Sequence, residues 1–189
     1  MKNVGPRATI RNASSPGFTV MELAVAVAVL GSTLAVAIPT FVRDMKSSRF
    51  VEPTLGLTAI AEGAVAYAGG HGTQATLILA YPRSVGLTPS TPPRGRLAAD
   101  PPGTWSDPTW QALHFPTTTS GFAFADDDPH AFSFAFESAL ANARSSFIAR
   151  ACGDLDGDGA RSTFEVRGHD TQSEGAVIEP GMYVEAPLE

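Results

Sequence analysis

Gly17-Phe18-Thr19-Val20-Met21-Glu22-Leu23-Ala24-Val25-Ala26-Val27-Ala28-Val29-Leu30 begins an apolar run that continues through Gly31-Ser32-Thr33-Leu34-Ala35-Val36-Ala37-Ile38 to Pro39. From Phe18 to Ile38 there are 21 residues, and Glu22 is the only charged one. At the helical rise these residues span about 31 Å, close to the ~30 Å hydrocarbon core of a bilayer. A core helix of so small a protein has no need of such a run. Met1 to Gly17 is polar and basic, with no apolar stretch of its own ahead of a cut, so it is not an ordinary secretory signal peptide.

Charge gives the run a direction. The first 17 residues hold Lys2, Arg7 and Arg11 and no acid, whereas Arg43, Asp44, Lys46 and Arg49 follow the run. The positive-inside rule then predicts an N-in, C-out helix, with everything after about residue 45 outside the inner membrane. Without its first 17 residues the chain holds 10 bases against 19 acids. So acidic a remainder argues against nucleic-acid binding, which needs a basic patch.

An ionised carboxylate near the start of a membrane helix costs about 2.5–3.5 kcal/mol and needs a partner. A purely anchoring helix therefore has no evident reason to carry Glu22. Gly17-Phe18-Thr19-Val20-Met21-Glu22, followed by Leu23 and the Ala/Val run, resembles the processing motif of the type IV pilin and type II secretion pseudopilin family. The resemblance covers about residues 12–42. It implies cleavage after Gly17 by a membrane prepilin peptidase, N-methylation of Phe18, and assembly into a filament through the apolar helix. Glu22 becomes the fifth residue after the cut, where the family carries a glutamate to pair with the new α-amino group of a neighbouring subunit. Pro39 stands where the family often has a helix-bending proline, and Gly31-Ser32-Thr33 is a second weak point.

The resemblance implies an α+β fold, a long N-terminal helix packed on a small antiparallel sheet. The expected layout is a leader over 1–17, a transmembrane or filament-core helix over 18–45 and a globular domain over 46–189. Within the domain, Leu55, Leu57, Ile60, Val65 and Tyr67 suit a helix over 46–69 lying on a sheet, ended by Gly69-Gly70. Pro53 is a further point of bending. Residues 70–121 are rich in Pro, Gly, Ser and Thr and form a loop region. There Trp105 and Trp110 serve either as core pegs or as subunit contacts. Residues 122–189 form the sheet, from Phe122-Ala123-Phe124, Phe132 to Glu137 with three phenylalanines on one face, Ser146 to Cys152, and Thr163 to Arg167. Ala176 to Ile178 and Met182 to Val184 add edge pairing.

Asp154-Leu155-Asp156-Gly157-Asp158-Gly159-Ala160-Arg161-Ser162-Thr163-Phe164-Glu165 matches a twelve-residue calcium loop, with oxygens from Asp154, Asp156, Asp158, Ser162 and Glu165. The flanks are strands rather than the helices of an EF-hand, and Asp-Gly pairs also make turns without metal. The segment resembles the acidic hairpin of some bacterial, notably myxobacterial, pilin-like proteins. Two readings stand: a structural calcium site and a metal-free turn. No cofactor is required in the second reading, and structural Ca2+ is the one cofactor of the first. Cys152 is alone, so the C-terminal disulfide common among pilins has no counterpart here. Asp126-Asp127-Asp128-Pro129-His130 is a solvated acidic turn by composition, and His71, His114, His130 and His169 show no metal or catalytic spacing.

The function these features predict is structural. The partners are other copies or related pilins, the prepilin peptidase and methyltransferase, and the inner-membrane assembly platform. The chain passes from the inner membrane to a periplasmic or cell-surface filament. A non-polymerising, membrane-anchored calcium-binding module is the alternative. An enzyme is disfavoured by the absence of a Gly-x-Ser-x-Gly elbow or phosphate loop and by a lone cysteine without a base beside it.

Overall fold

The computed structural model describes residues 17–71, 80–116, 128–141, 144–171 and 175–187. The chain divides into two units, up to Phe41 and from Val42 onward, with the boundary inside the first helix. The basic leader and the expected strand at Phe122-Ala123-Phe124 lie outside the described residues, as do Asp126 and Asp127.

In the first unit the apolar run is helical. Helix α1 runs from Val20 to Ser48 and includes Pro39. Three of its hydroxyls are satisfied within the helix: Ser32 Oγ and Thr33 Oγ1 donate to the Val29 carbonyl at 3.0 and 2.8 Å, and Thr40 Oγ1 to the Val36 carbonyl at 2.9 Å. Polar side chains paired in this way suit a helix in an apolar solvent, where an unmade hydrogen bond is costly. The stretch Val20–Met45 is long and apolar enough to cross a membrane.

The helix does not break at Pro39 or at Gly31-Ser32-Thr33. It breaks at Arg49-Phe50, and α2 (Val51–His71) begins there. Pro53 sits in the first turn of α2, where a missing N–H costs nothing, so it starts a helix rather than bending one. Gly69 and Gly70 lie inside α2, not beyond its end.

The second unit is an antiparallel sheet with α2 on one face. The strands are β1 (Val85–Thr88), β2 (Phe132–Ala141), β3 (Arg144–Gly153), β4 (Ser162–Thr171), β5 (Gly175–Ile178) and β6 (Tyr183–Glu185). The order is β1-β2-β3-β4-β5, and β6 shares the outer edge of β4 with β5. Among the described residues this is an α+β arrangement with six strands, each expected described strand being present and several of them longer than expected.

Side-chain alternation decides the core. Phe132, Phe134, Phe136, Phe147 and Phe164 turn inward and meet Leu57, Ile60 and Ala64 of α2, all buried. Leu55 stays half exposed, so the buried stripe of α2 runs through Pro53, Gly56, Leu57, Ile60 and Ala64. The small residues have a reason: a Cβ on Gly63 would collide with the Leu113 carbonyl oxygen. Ser133, Ala135 and Cys152 are also buried, so the face away from α2 is not uniformly solvated.

Both tryptophans belong to this core. A short helix α3 (Pro108–Ala112) is capped by Asp107, whose Oδ1 accepts from Thr109 N at 2.8 Å. It carries Trp110, fully buried, edge-on to Trp105 with ring centroids 5.5 Å apart.

Candidate functional site

The residues singled out from the sequence fall in two places. At the N-terminus, Gly17 and Phe18 precede α1, and Phe18 is 88% exposed. Glu22 Oε2 accepts from Thr19 N and from Thr19 Oγ1, each at 2.8 Å, and Glu22 N donates back to Thr19 Oγ1 at 3.2 Å. This is a capping box, Thr at the N-cap and Glu three residues on. Glu22 therefore has a local task in its own helix. That corrects the view that an anchoring helix has no reason to hold a carboxylate there.

The second place is the β3–β4 hairpin. Asp154, Asp156 and Asp158 bring carboxylate oxygens within 4.8 Å of one another, with Asp154 buried and the other two exposed. Each carboxylate also holds its own turn. Asp154 Oδ1 accepts from Gly157 N at 2.7 Å, Asp156 Oδ1 from Asp158 N at 3.2 Å, and Asp158 Oδ1 from Ala160 N at 2.7 Å. Gly157 and Gly159 supply positive φ angles of 84° and 99°, which side-chain-bearing residues rarely adopt. Arg94 Nε stands 3.8 Å from Asp154 Oδ2, and Gly95 N donates to the Asp154 carbonyl at 2.8 Å.

The other two expected ligands are occupied elsewhere. Ser162 Oγ donates to the Gly153 carbonyl at 3.2 Å. Glu165 lies on β4 opposite Arg150 and takes hydrogen bonds from Arg150 Nε at 2.7 Å and Arg167 Nη2 at 3.1 Å. Burial alone would raise the Glu165 carboxyl, but the two arginines outweigh it and hold it below the usual carboxylate range. The strand pairing thus carries position twelve onto the sheet and away from the three aspartates.

Sequence reasoning missed a third cluster. His130, placed by composition in a solvated turn, is 3% exposed. Its Nε2 is 2.8 Å from Asp100 Oδ2 and its Nδ1 2.8 Å from the Phe132 carbonyl oxygen. Glu52 of α2 accepts from the backbone N–H groups of Ala131 and Phe132 at 2.9–3.1 Å, and burial pushes its carboxyl up despite those bonds. Asp100 and Glu52 are 30 and 78 residues away along the chain, so no spacing rule pointed to them. Burial also pushes up the Cys152 thiol, which suits a packed side chain rather than a nucleophile.

No family model, curated protein or solved structure matches the chain.

Proposed function

We propose that the chain is a subunit of a type IV pilus-like or type II secretion pseudopilus-like filament. In this reading it is cleaved after Gly17, N-methylated at Phe18 and polymerised through α1. The observation that carries the proposal is the sequence Gly17-Phe18-Thr19-Val20-Met21-Glu22 at the exposed start of an apolar helix of membrane-spanning length. An α2-on-sheet domain after that helix agrees with it.

The subunit waits in the inner membrane, N-terminus inside, and then joins copies of itself or related pilins through the assembly platform. Loss of the leader frees an α-amino group at Phe18. The Glu22 carboxylate of a neighbour then neutralises that amine in a low-dielectric filament core. The chain has no enzymatic role in this reading. A mature N-terminus at Phe18 supports the proposal, and retention of Met1 ends it.

The three converging aspartates keep the anchored calcium-binding module in view as a second reading. The hairpin closes on its own hydrogen bonds, so in the filament reading it requires no metal. Calcium at about 10 mM is then expected to leave the melting temperature of the full-length protein in detergent unchanged. A site with the ~10⁻⁴–10⁻³ M affinity of extracellular calcium modules would add about 1.4–2.7 kcal/mol by mass action. A rise of about 4 °C or more would therefore establish the metal site.

A further inference from the structure

We propose that Asp158-Gly159 is a site of spontaneous backbone modification, at which the aspartate closes on the Gly159 amide to a succinimide and reopens in part as isoaspartate. The reaction needs a carboxyl group that can approach the backbone nitrogen of the next residue, and a nitrogen able to give up its proton. Glycine at that next position leaves the approach clear of a side chain. The chain has two such pairs, Asp156-Gly157 and Asp158-Gly159. In Asp100-Pro101, Asp107-Pro108 and Asp128-Pro129 the nitrogen belongs to proline and has no proton to lose.

The β3–β4 turn treats the two pairs differently. Both aspartates fold back on their own backbone as Asx turns: Asp156 Oδ1 accepts from Asp158 N at 3.2 Å, and Asp158 Oδ1 from Ala160 N at 2.7 Å. A loop closed in this way contains the intervening glycine nitrogen, so each carboxyl carbon is held near the atom that would attack it. Gly157 N, however, is already committed, donating to Asp154 Oδ1 at 2.7 Å. Gly157 also sits against Arg94-Gly95, where an added Cβ would lie 3.4 Å from Gly95 N. Gly159 N has no acceptor among the described residues. Nothing lies within 4 Å of the place a Cβ would take on Gly159. Asp158 is exposed, so water reaches the ring once it has closed.

The steps balance with water as the sole reagent. The Gly159 nitrogen bonds to Asp158 Cγ and loses its proton, and a carboxyl oxygen leaves as water. Water then adds back at one of the two ring carbonyls. Addition at Cγ restores aspartate. Addition at the main-chain carbonyl breaks that carbon's bond to nitrogen and leaves the chain running through Cγ. This product has the parent's mass and one more methylene in its backbone. The bond from Ala160 N is lost with the original side chain, so the β3–β4 turn loosens in chains that have aged.

The test holds full-length protein in detergent in warm, mildly acidic buffer for several weeks, with samples digested at intervals. Electron-transfer fragmentation then separates isoaspartate from aspartate at each position. Isoaspartate is expected to build up at Asp158 several-fold faster than at Asp156. In denaturant the turn is gone, and the two pairs should react at similar rates. No isoaspartate at Asp158 in the folded protein would overturn the proposal, as would equal or faster build-up at Asp156. A preference for Asp158 that persists undiminished in denaturant would also overturn it, because the cause would then be local sequence and not the turn.

Discussion

E22Q should insert into the membrane and be processed as the parent chain is, yet fail to form filaments. Glutamine at this position retains the capping box with Thr19, because its carbonyl oxygen accepts the same bonds. What it lacks is charge. Glu22→Ala is the weaker probe: it also removes a cap worth about 1 kcal/mol and confuses helix stability with assembly. If the Glu22 carboxylate neutralises the α-amino group of a neighbour, removing the charge leaves that amine uncompensated, and such a buried ion costs about 3–5 kcal/mol. A loss of that size at each subunit junction should reduce sheared filaments to below detection. Normal filaments from E22Q would show that the carboxylate serves the cap alone. The anchored-module reading predicts no effect of E22Q.

Trp110→Ala should destabilise the second unit by about 3–5 kcal/mol, read from denaturant unfolding of the full-length protein in detergent. A typical domain has only ~5–15 kcal/mol in total, so this is a large share. The indole is fully buried, donates Nε1 to Thr88 Oγ1 at 3.1 Å, and packs on Trp105 and Phe115. Trp110→Phe keeps an aromatic ring in that space and should cost clearly less. A Trp110→Ala variant within about 1 kcal/mol of the parent would contradict a core role and favour one in subunit contact.

What the sequence showed and what it hid follow from the range of the interactions involved. Local signals were legible: the apolar length of α1, the period-two phenylalanines of β2, and the Asp-Gly turn between β3 and β4. The position of the helix break was not. Pro39 is the stronger helix breaker, but the chain turns at Arg49-Phe50, where Phe50 leaves the helix to pack against Phe164 with centroids 5.7 Å apart. That contact spans more than a hundred residues and has no local signature. Glu165 illustrates the same limit. Its spacing fits a calcium loop, but the register of β3 with β4 sets it opposite Arg150. The His130 cluster was hidden outright, because Asp100 reaches it from a proline-rich segment with no periodicity.

Intact-mass and N-terminal peptide mass spectrometry of the mature protein tests the central claim most directly. The filament-subunit account predicts a chain that begins at Phe18 and carries one added methyl group on its α-amine. A mature chain that still begins at Met1, or that is cut anywhere other than after Gly17, would contradict it.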